Sequence, residues 1–165
     1  MLPWIAAAVF LTAIIAGVAV WKLKPTEPRQ VMRFYYELPE GQQFSDLIYA
    51  ALAVSFDGKQ FVYSTTKGLY LRSVNELAAK IIPGTEENVQ QPLFSPDGKW
   101  IGYFSVADRK WKKIAVNGGT PVVLCDATAA LNASWGADDR IVYGEAGKGI
   151  MRISANGGKI GRAHV

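Results

Sequence analysis

A long apolar stretch opens the chain, and short apolar runs separated by turn residues follow it. The stretch, WIAAAVFLTAIIAGVAVW at residues 4–21, carries no charged side chain and begins and ends with an indole ring, at Trp4 and Trp21. A helix of this length rises roughly 27 Å, close to the ~30 Å hydrocarbon core of a bilayer. Tryptophan at both ends, followed by Lys22 and Lys24, suits the membrane interface. We therefore predict a single transmembrane α-helix at residues 4–21.

A cleaved signal peptide and a buried core helix are the alternatives for this stretch. A signal peptide normally has a basic residue before the apolar run and an Ala-x-Ala site after it, and the sequence has neither. A core helix normally carries a polar stripe. The basic residues that follow the span favour a cytoplasmic C-terminal side, but that rule needs an upstream flank for comparison, and only residues 1–3 precede the span.

The rest of the chain repeats itself with a period of 40 residues, marked by Tyr63, Tyr103 and Tyr143. The aligned segments are residues 53–64, 92–105 and 133–144, and a second matching set follows at residues 69–75, 112–119 and 151–158. In the third copy Trp135 matches Phe94 only if one residue is dropped. Two motifs that recur in the same order indicate a repeat architecture.

Each repeat carries the residues of tight turns between short strands. The turn residues are Asp57, Gly58, Asp97, Gly98, Asn117, Gly118, Asn156 and Gly157. Asp-Gly and Asn-Gly pairs adopt the positive φ angles of hairpin turns with little strain. The flanking runs are β-branched and aromatic, as in FVY at residues 61–63 and WIGYF at residues 100–104. Each unit therefore predicts three or four antiparallel strands.

The predicted fold class is all-β, behind one N-terminal transmembrane α-helix. A period of about 40 residues with up to four strands is typical of β-propeller blades. Residues 44–159 are predicted to form an incomplete propeller of two blades and most of a third, and residues 22–43 a juxtamembrane linker and first strand. A β-sandwich is the alternative, but its strands need no copied sequence.

The last residues of the chain match no repeat. Residues 160–165, IGRAHV, are what the codons ATC GGA AGA GCA CAC GTC encode, a run that resembles a widely used sequencing adapter. We expect this segment to be translated adapter, and residues 1–3 to be the residual upstream flank of the span. A divergent strand start is the alternative for residues 160–165.

The FSPDGK sequence at residues 94–99 resembles the WD40-like repeat, also called PD40, of TolB-type propellers from the bacterial envelope. The order of motifs is also similar to that of membrane-anchored bacterial serine/threonine protein kinases with a propeller sensor region. Those motifs are the span, VMRF at residues 31–34, LPEG at 38–41, LYLRS at 69–73 and PGTE at 83–86. The resemblance implies a fragment that contains the sensor region and lacks the kinase domain.

This resemblance implies a single-pass protein of the inner membrane whose propeller is extracytoplasmic, facing the periplasm, and serves signal transduction. ATP and Mg²⁺ would belong only to a kinase domain before the span. None of the kinase family's catalytic positions can be assigned here, because the sequence has no Gly-rich loop with a strand lysine, no His-Arg-Asp loop and no Asp-Phe-Gly. We therefore expect this chain itself to have no enzyme activity.

The formal net charge of +4 does not indicate a nucleic-acid partner. Residues 25–159 contain 15 Lys and Arg against 14 Asp and Glu, and Lys22, Lys24 and Arg162 supply the remaining excess. A body this close to neutral has no basic surface for a phosphate backbone.

The sequence also lacks the residues of common catalytic and metal sites. His164 is the only histidine and Cys125 the only cysteine, which leaves no Ser–His–Asp system and no His or Cys metal site. Cys125 lies in an apolar run, and Glu86-Glu87 and Asp138-Asp139 are most simply solvated turn residues. Asp57 and Asp97 lack the multi-Asp spacing of a calcium loop. We expect no cofactor and no metal.

One basic cluster, RKWKK at residues 109–113, could contact anionic lipid or peptidoglycan. The simpler interpretation is the solvent face of an outer hairpin with Trp111 turned inward.

The sequence therefore predicts a non-catalytic, membrane-tethered propeller module that contacts the bilayer through residues 4–21. Its ligand would be an unknown protein, peptide or small molecule bound by the propeller. The propeller part of a prolyl-oligopeptidase-like serine peptidase and a stand-alone TolB-like envelope scaffold are the alternatives.

Overall fold

The structure is a computed structural model that describes residues 10, 12–14, 16–18, 35–46, 48–158 and 160–162. The chain divides into two compact units, Met1–Glu37 and Leu38–Val165. In the first unit, residues 10, 12–14 and 16–18 are α-helical. Within the described part of the chain, no helix is long and apolar enough to cross a membrane. Most of the predicted span at residues 4–21 lies outside the described residues, and so do its anchors Trp4, Trp21, Lys22 and Lys24.

The second unit is built from three four-stranded antiparallel sheets. The first contains β1 (Leu52–Val54), β2 (Gln60–Thr65), β3 (Gly68–Ser73) and β4 (Lys80–Ile81). The second contains β5 (Val89–Phe94), β6 (Trp100–Ser105), β7 (Lys110–Ala115) and β8 (Val122–Asp126). The third contains β9 (Ala130–Trp135), β10 (Arg140–Glu145), β11 (Gly149–Ser154) and β12 (Gly161–Arg162). The antiparallel units predicted from the repeats are confirmed.

The two ends of the repeat region differ in detail from the predicted organisation. Residues 35–43 contain no strand, and the first pairing is an isolated bridge between Phe44 and Thr65. The first strand predicted within residues 22–43 is therefore not found at 35–43, and residues 22–34 lie outside the described part. At the other end, Gly161 and Arg162 pair with β11. The expectation that residues 160–165 are translated adapter is a statement about the gene, and it stays a prediction.

The middle sheet buries both of its faces against its neighbours. Alternate residues of a strand point to opposite faces, so Ile101 and Tyr103 join one core cluster while Phe104 and Trp111 join another. The first cluster contains Val62, Leu69, Ile82, Val89, Phe94, Ile101, Tyr103 and Ile114. The second includes Leu93, Phe104, Trp111, Leu124, Trp135, Ile141, Tyr143, Met151 and Ile153. The repeated tyrosine thus lies in the core of every sheet, with at most 1% of Tyr63, Tyr103 or Tyr143 exposed.

A segment before β1, which we call the strap (residues 42–46 and 48–50), lies against the first and second sheets. The Phe44 ring meets the Tyr63 ring edge to face at 6.1 Å between centroids. The Tyr63 hydroxyl donates to Gln42 Oε1 at 2.9 Å. Gln90 Nε2, on β5, donates to Asp46 Oδ2 at 3.2 Å. The strap therefore joins two sheets through side-chain hydrogen bonds.

Candidate functional site

The first strands of the three sheets, β1, β5 and β9, are the inner strands, and each forms one edge of its sheet. β1 contacts β5, and β5 contacts β9. Between them lies a cleft of about 290 Å³, which we call the central cleft. Its lining is Ala50, Leu52, Ala53, Val54, Phe56, Pro92, Leu93, Phe94, Ala133, Ser134 and Trp135. All three sheets therefore contribute to one cleft lined mostly by apolar residues.

A backbone irregularity in β5 lies beside the contact between β5 and β9. The register of β5 shifts between Gln90 and Leu93, and Gln91 there has a φ of 55°, a left-handed angle that is strained for a residue with a Cβ. The buried Gln91 side chain donates from Nε2 to the Ala130 carbonyl of β9 at 2.8 Å. Its Oε1 makes no hydrogen bond within the described residues. Gln91 thus ties β5 to β9 beside the central cleft.

The two Asp-Gly turns form a second, smaller cleft of about 200 Å³, which we call the turn cleft. Its lining is Ser55, Phe56, Asp57, Gln60, Pro96, Asp97 and Gly98. Gly58 and Gly98 both have a φ of 70° and have open space around them. They therefore supply the positive φ that the turns require.

Each turn aspartate is held by hydrogen bonds within its own turn. Asp97 Oδ1 accepts from Ser95 Oγ at 2.6 Å and from the Lys99 amide at 3.1 Å. Asp57 Oδ1 has the same kind of partners, Ser55 Oγ at 2.7 Å and the Lys59 amide at 3.0 Å. These hydrogen bonds, the serine ones first, hold the pKa of both carboxyls below its usual value. Both groups are therefore ionised at neutral pH.

The Asn-Gly-Gly turns make contacts between sheets in addition to reversing the chain. Gly118 has a φ of 86°, and the Gly119 amide donates to the Pro83 carbonyl, which follows the first sheet, at 3.0 Å. In the third sheet, Gly157 has a φ of 81°, and Asn156 Oδ1 accepts from Lys113 Nζ of the second sheet at 3.4 Å. Asn117 precedes Gly118 in the same turn.

The basic cluster at residues 109–113 differs from the prediction of a solvent face. Trp111 is buried as predicted, but Lys112 and Lys113 are each only 8% exposed. Lys112 Nζ binds Glu87 Oε1 at 2.9 Å and also pairs with Asp108. The prediction of a solvent face holds for Arg109, which is exposed, and was wrong for Lys112 and Lys113, because both faces of the middle sheet pack against other sheets.

Lys113, on the opposite face of β7 from Lys112, lies with its Nζ 4.6 Å from the centroid of the Trp100 ring. The ring face stabilises the ammonium through a cation–π interaction. The two lysines that follow Trp111 in sequence thus make their contacts on opposite faces of the middle sheet.

One of the carboxylates that the sequence suggested to be solvated turn residues, Glu87, instead makes structural contacts. Glu87 Oε2 accepts from Ser105 Oγ at 2.7 Å, in addition to the Lys112 contact. Burial alone would lower the pKa of Lys112, but the hydrogen bonds that Lys112 donates to Asp108 and Glu87 outweigh it and raise that pKa above its usual value. Burial, with the charge of Glu87 as a smaller cause, raises the pKa of Tyr103. Asp138, by contrast, is exposed and lies 3.7 Å from Arg140 Nε.

A buried carboxylate, Glu145, was missed by the sequence interpretation. Glu145 is 2% exposed, and its Oε1 accepts from Thr128 Oγ1 at 2.8 Å and Lys148 Nζ at 2.8 Å. Burial opposes its ionisation, but the hydrogen bonds from Lys148 and Thr128 lower its pKa below the usual value. Glu145, at the end of β10, occupies the same repeat position as Ser105 at the end of β6. This recurrence of a polar residue was the feature of the sequence that indicated a repeated polar site.

Cys125 is buried, and its Sγ lies 3.7 Å from the Tyr143 hydroxyl. Burial raises the pKa of the thiol, which disfavours the thiolate that a nucleophile requires. Across the described residues, no group of three or more His, Cys, Asp or Glu side chains could hold a metal ion. His164 lies outside those residues.

No family model and no curated protein matches the chain. Among solved structures, it is similar to a TolB-type protein of Agrobacterium tumefaciens at 19% identity and a TM-score of 0.55, over 66% of this chain and 46% of that one. It is similar to TolB from Acinetobacter baumannii at 18% identity and a TM-score of 0.56, over 64% of this chain and 29% of that one. The chain aligns with less than half the length of either structure. This likeness shows the fold, and the predicted β-propeller blades are confirmed.

Proposed function

We propose that this chain is a non-catalytic β-propeller interaction module that binds a protein, peptide or small molecule in the central cleft. The observation that carries the proposal is the convergence of β1, β5 and β9, one strand from each sheet, on a single cleft lined mostly by apolar residues. Concave, mostly apolar cavities with a few polar groups are where proteins bind ligands. Propellers bind along their central channel, which the first strand of each blade lines.

We further propose that residues 4–21 tether the propeller to the inner membrane of a bacterium, with the propeller in the periplasm. Phe10, Ile14 and Val18, spaced four residues apart on the helical segment, are 75%, 55% and 48% exposed. Exposed apolar side chains of this size on a helix favour a lipid environment. Fractionation of cells that express the full chain tests this, because a tethered chain sediments with membranes and resists extraction by alkaline carbonate.

A role as the sensor region of a receptor-type serine/threonine kinase is supported by the order of the sequence motifs. These motifs lie at residues 31–34, 38–41, 69–73 and 83–86. The sequence of the flanking DNA tests it. Kinase motifs upstream of Met1 support the sensor role, and a Gly-x-Ser-x-Gly hydrolase motif downstream would support the peptidase instead. If the flanking DNA encodes neither of these motifs, the result would support a stand-alone scaffold.

Binding in the central cleft is tested by selecting peptides from a random display library on the full chain held in lipid nanodiscs. Val54 lines the cleft and is 56% exposed, so Val54→Trp narrows the cavity while Val54→Ala leaves it open. We expect the selected peptides to bind the parent chain and Val54→Ala, and to lose binding to Val54→Trp. Peptides that bind all three proteins equally would place the ligand elsewhere.

A further inference from the structure

The first Asp-Gly turn departs from the repeat at one position, Phe56. The second turn reads Ser95-Pro96-Asp97-Gly98, whereas the first reads SFDG at residues 55–58, so phenylalanine replaces the turn proline. Pro96 is a favourable turn residue because its ring fixes φ. Phe56 has no such advantage, and its ring is 80% exposed. Neither turn formation nor core packing accounts for this aromatic residue.

Phe56 belongs to the lining of both the central cleft and the turn cleft. On the central-cleft side its apolar neighbours Leu52 and Val54 are 46% and 56% exposed. On the turn-cleft side the charged lining residues are Asp57 and Asp97, both acidic. The two clefts therefore form one continuous surface that is apolar at one end and negatively charged at the other.

The two aspartates keep one carboxylate oxygen available for a ligand. Oδ1 of each accepts the hydrogen bonds of its own turn, whereas within the described residues Oδ2 makes no hydrogen bond. The nearest cations are Lys59 Nζ, 4.0 Å from Asp57 Oδ2, and Lys99 Nζ, 3.8 Å from Asp97 Oδ2. Both lysine side chains are more than three-quarters exposed, at 78% and 77%. Ion pairs this exposed are weak and easily exchanged for a better-placed cation.

We propose that the joined clefts bind an extended peptide segment in which an apolar side chain and an arginine or lysine are two residues apart. The apolar side chain enters the central cleft, and the cation lies between Asp57 and Asp97 against the ring of Phe56. Side chains two residues apart on an extended strand point to the same side, which matches two clefts that meet at one residue. An aromatic ring beside two carboxylates suits a guanidinium, which stacks on rings and donates to carboxylates.

This inference rests on the proposed interaction role and specifies its ligand. The probe is the peptide Gly-Leu-Gly-Arg-Gly-amide with fluorescein on its N-terminal amine, titrated with the full chain in nanodiscs and followed by fluorescence anisotropy. The matched peptide carries citrulline, a neutral isostere, in place of arginine. We expect the citrulline peptide to bind at least about fivefold more weakly, and the difference to shrink at high salt. Equal affinity of the two peptides, or no binding of the arginine peptide, would overturn the inference.

Three protein variants locate the contact. Phe56→Pro installs the residue of the second turn, and Asp57→Asn and Asp97→Asn keep the Oδ1 acceptor that each turn needs. We expect each to weaken binding of the arginine peptide by roughly threefold or more. The two asparagine variants should leave citrulline binding nearly unchanged, whereas Phe56→Pro also alters the lining of the central cleft and should weaken it too. The two-peptide comparison on the parent chain needs no variant, so a variant that fails to fold does not remove the test. Library peptides whose binding is lost in Val54→Trp but is unchanged in Asp57→Asn and Asp97→Asn would support the proposed function and refute this inference.

Discussion

Gly118 of the second sheet lies so close to Pro83, which follows the first sheet, that a Cβ on Gly118 would come within 2.7 Å of the Pro83 ring and of its carbonyl oxygen. Gly118 therefore meets two requirements that only glycine satisfies together, a φ of 86° and a close approach of two backbones. The repeated Asn-Gly-Gly turn is for this reason a contact between sheets as well as a turn.

Gly118→Ala should destabilise the chain more than a positive φ alone explains. Gly147 is the matched control, because its φ is 78° and a Cβ there would meet nothing within 4 Å. We expect a loss of about 1 kcal/mol for Gly147→Ala and of about 3 kcal/mol for Gly118→Ala, where backbone displacement adds to the strain. Urea unfolding of the full chain, followed by tryptophan fluorescence, measures both. Equal losses would show that the Pro83 contact is unimportant.

The sequence predicted this fold well wherever local chemistry determines it. Asp97-Gly98 forms a turn because the glycine adopts a φ of 70° without strain and the Asp97 carboxylate accepts a hydrogen bond from the Lys99 amide. The tyrosine spacing located the second strand of each sheet, since residues at equivalent repeat positions occupy equivalent places. Both features depend on interactions within a few residues of the chain, which a sequence pattern records.

Contacts between sheets were harder to predict because they depend on residues distant in sequence. Lys112 looked like a solvated residue of a basic cluster, yet it lies against Glu87, 25 positions away. The central cleft required β9 to lie beside β5, and the hydrogen bond that joins them, from Gln91 to Ala130, spans 39 positions. The alternation of side chains along a strand indicates which residues share a face of the sheet. It does not indicate whether that face contacts water or another sheet.

Lys112→Met should cost more stability than Lys110→Met on the same strand. The Lys112 side chain is 11% exposed and binds Glu87, whereas the Lys110 side chain is 39% exposed and lies 3.4 Å from the exposed Asp126. Removing Lys112 leaves Glu87 half-buried without its cation, so we expect a loss of about 2 kcal/mol. For Lys110→Met we expect a change within about 0.5 kcal/mol. Chemical denaturation measures both variants at neutral pH, and similar effects would contradict the buried pair.

The Glu145 carboxylate should make stability depend on pH in the acidic range. Its pKa in the folded chain lies below the usual value of 4.5. Its contribution is therefore present above that value and is lost as the pH falls through the lower folded pKa. Glu145→Gln keeps an oxygen for Thr128 but removes the charge paired with Lys148, so we expect a loss of about 1–2 kcal/mol at pH 7.

The parent chain and Glu145→Gln should therefore converge in stability as the pH is lowered from 6 towards 3. Denaturation midpoints at a series of pH values measure the convergence. Glu76→Gln is the surface comparison: Lys80 lowers the pKa of Glu76 too, but both side chains of that pair are well exposed, so we expect a smaller gap from the parent chain at neutral pH than for Glu145→Gln. A constant gap between the parent chain and Glu145→Gln across this range would contradict the lowered pKa of Glu145.

Cys125 should react slowly with thiol reagents while the chain is folded. The residue is 8% exposed, and burial raises the pKa of its thiol, so both access and thiolate population are low at neutral pH. We expect the reaction with a disulfide reagent such as DTNB to be at least about a hundredfold slower in the folded chain than in urea. Because Cys125 is the only cysteine, the absorbance change reports this one thiol. A folded-state rate close to the rate in urea would show that β8 separates readily from β7 and exposes the thiol.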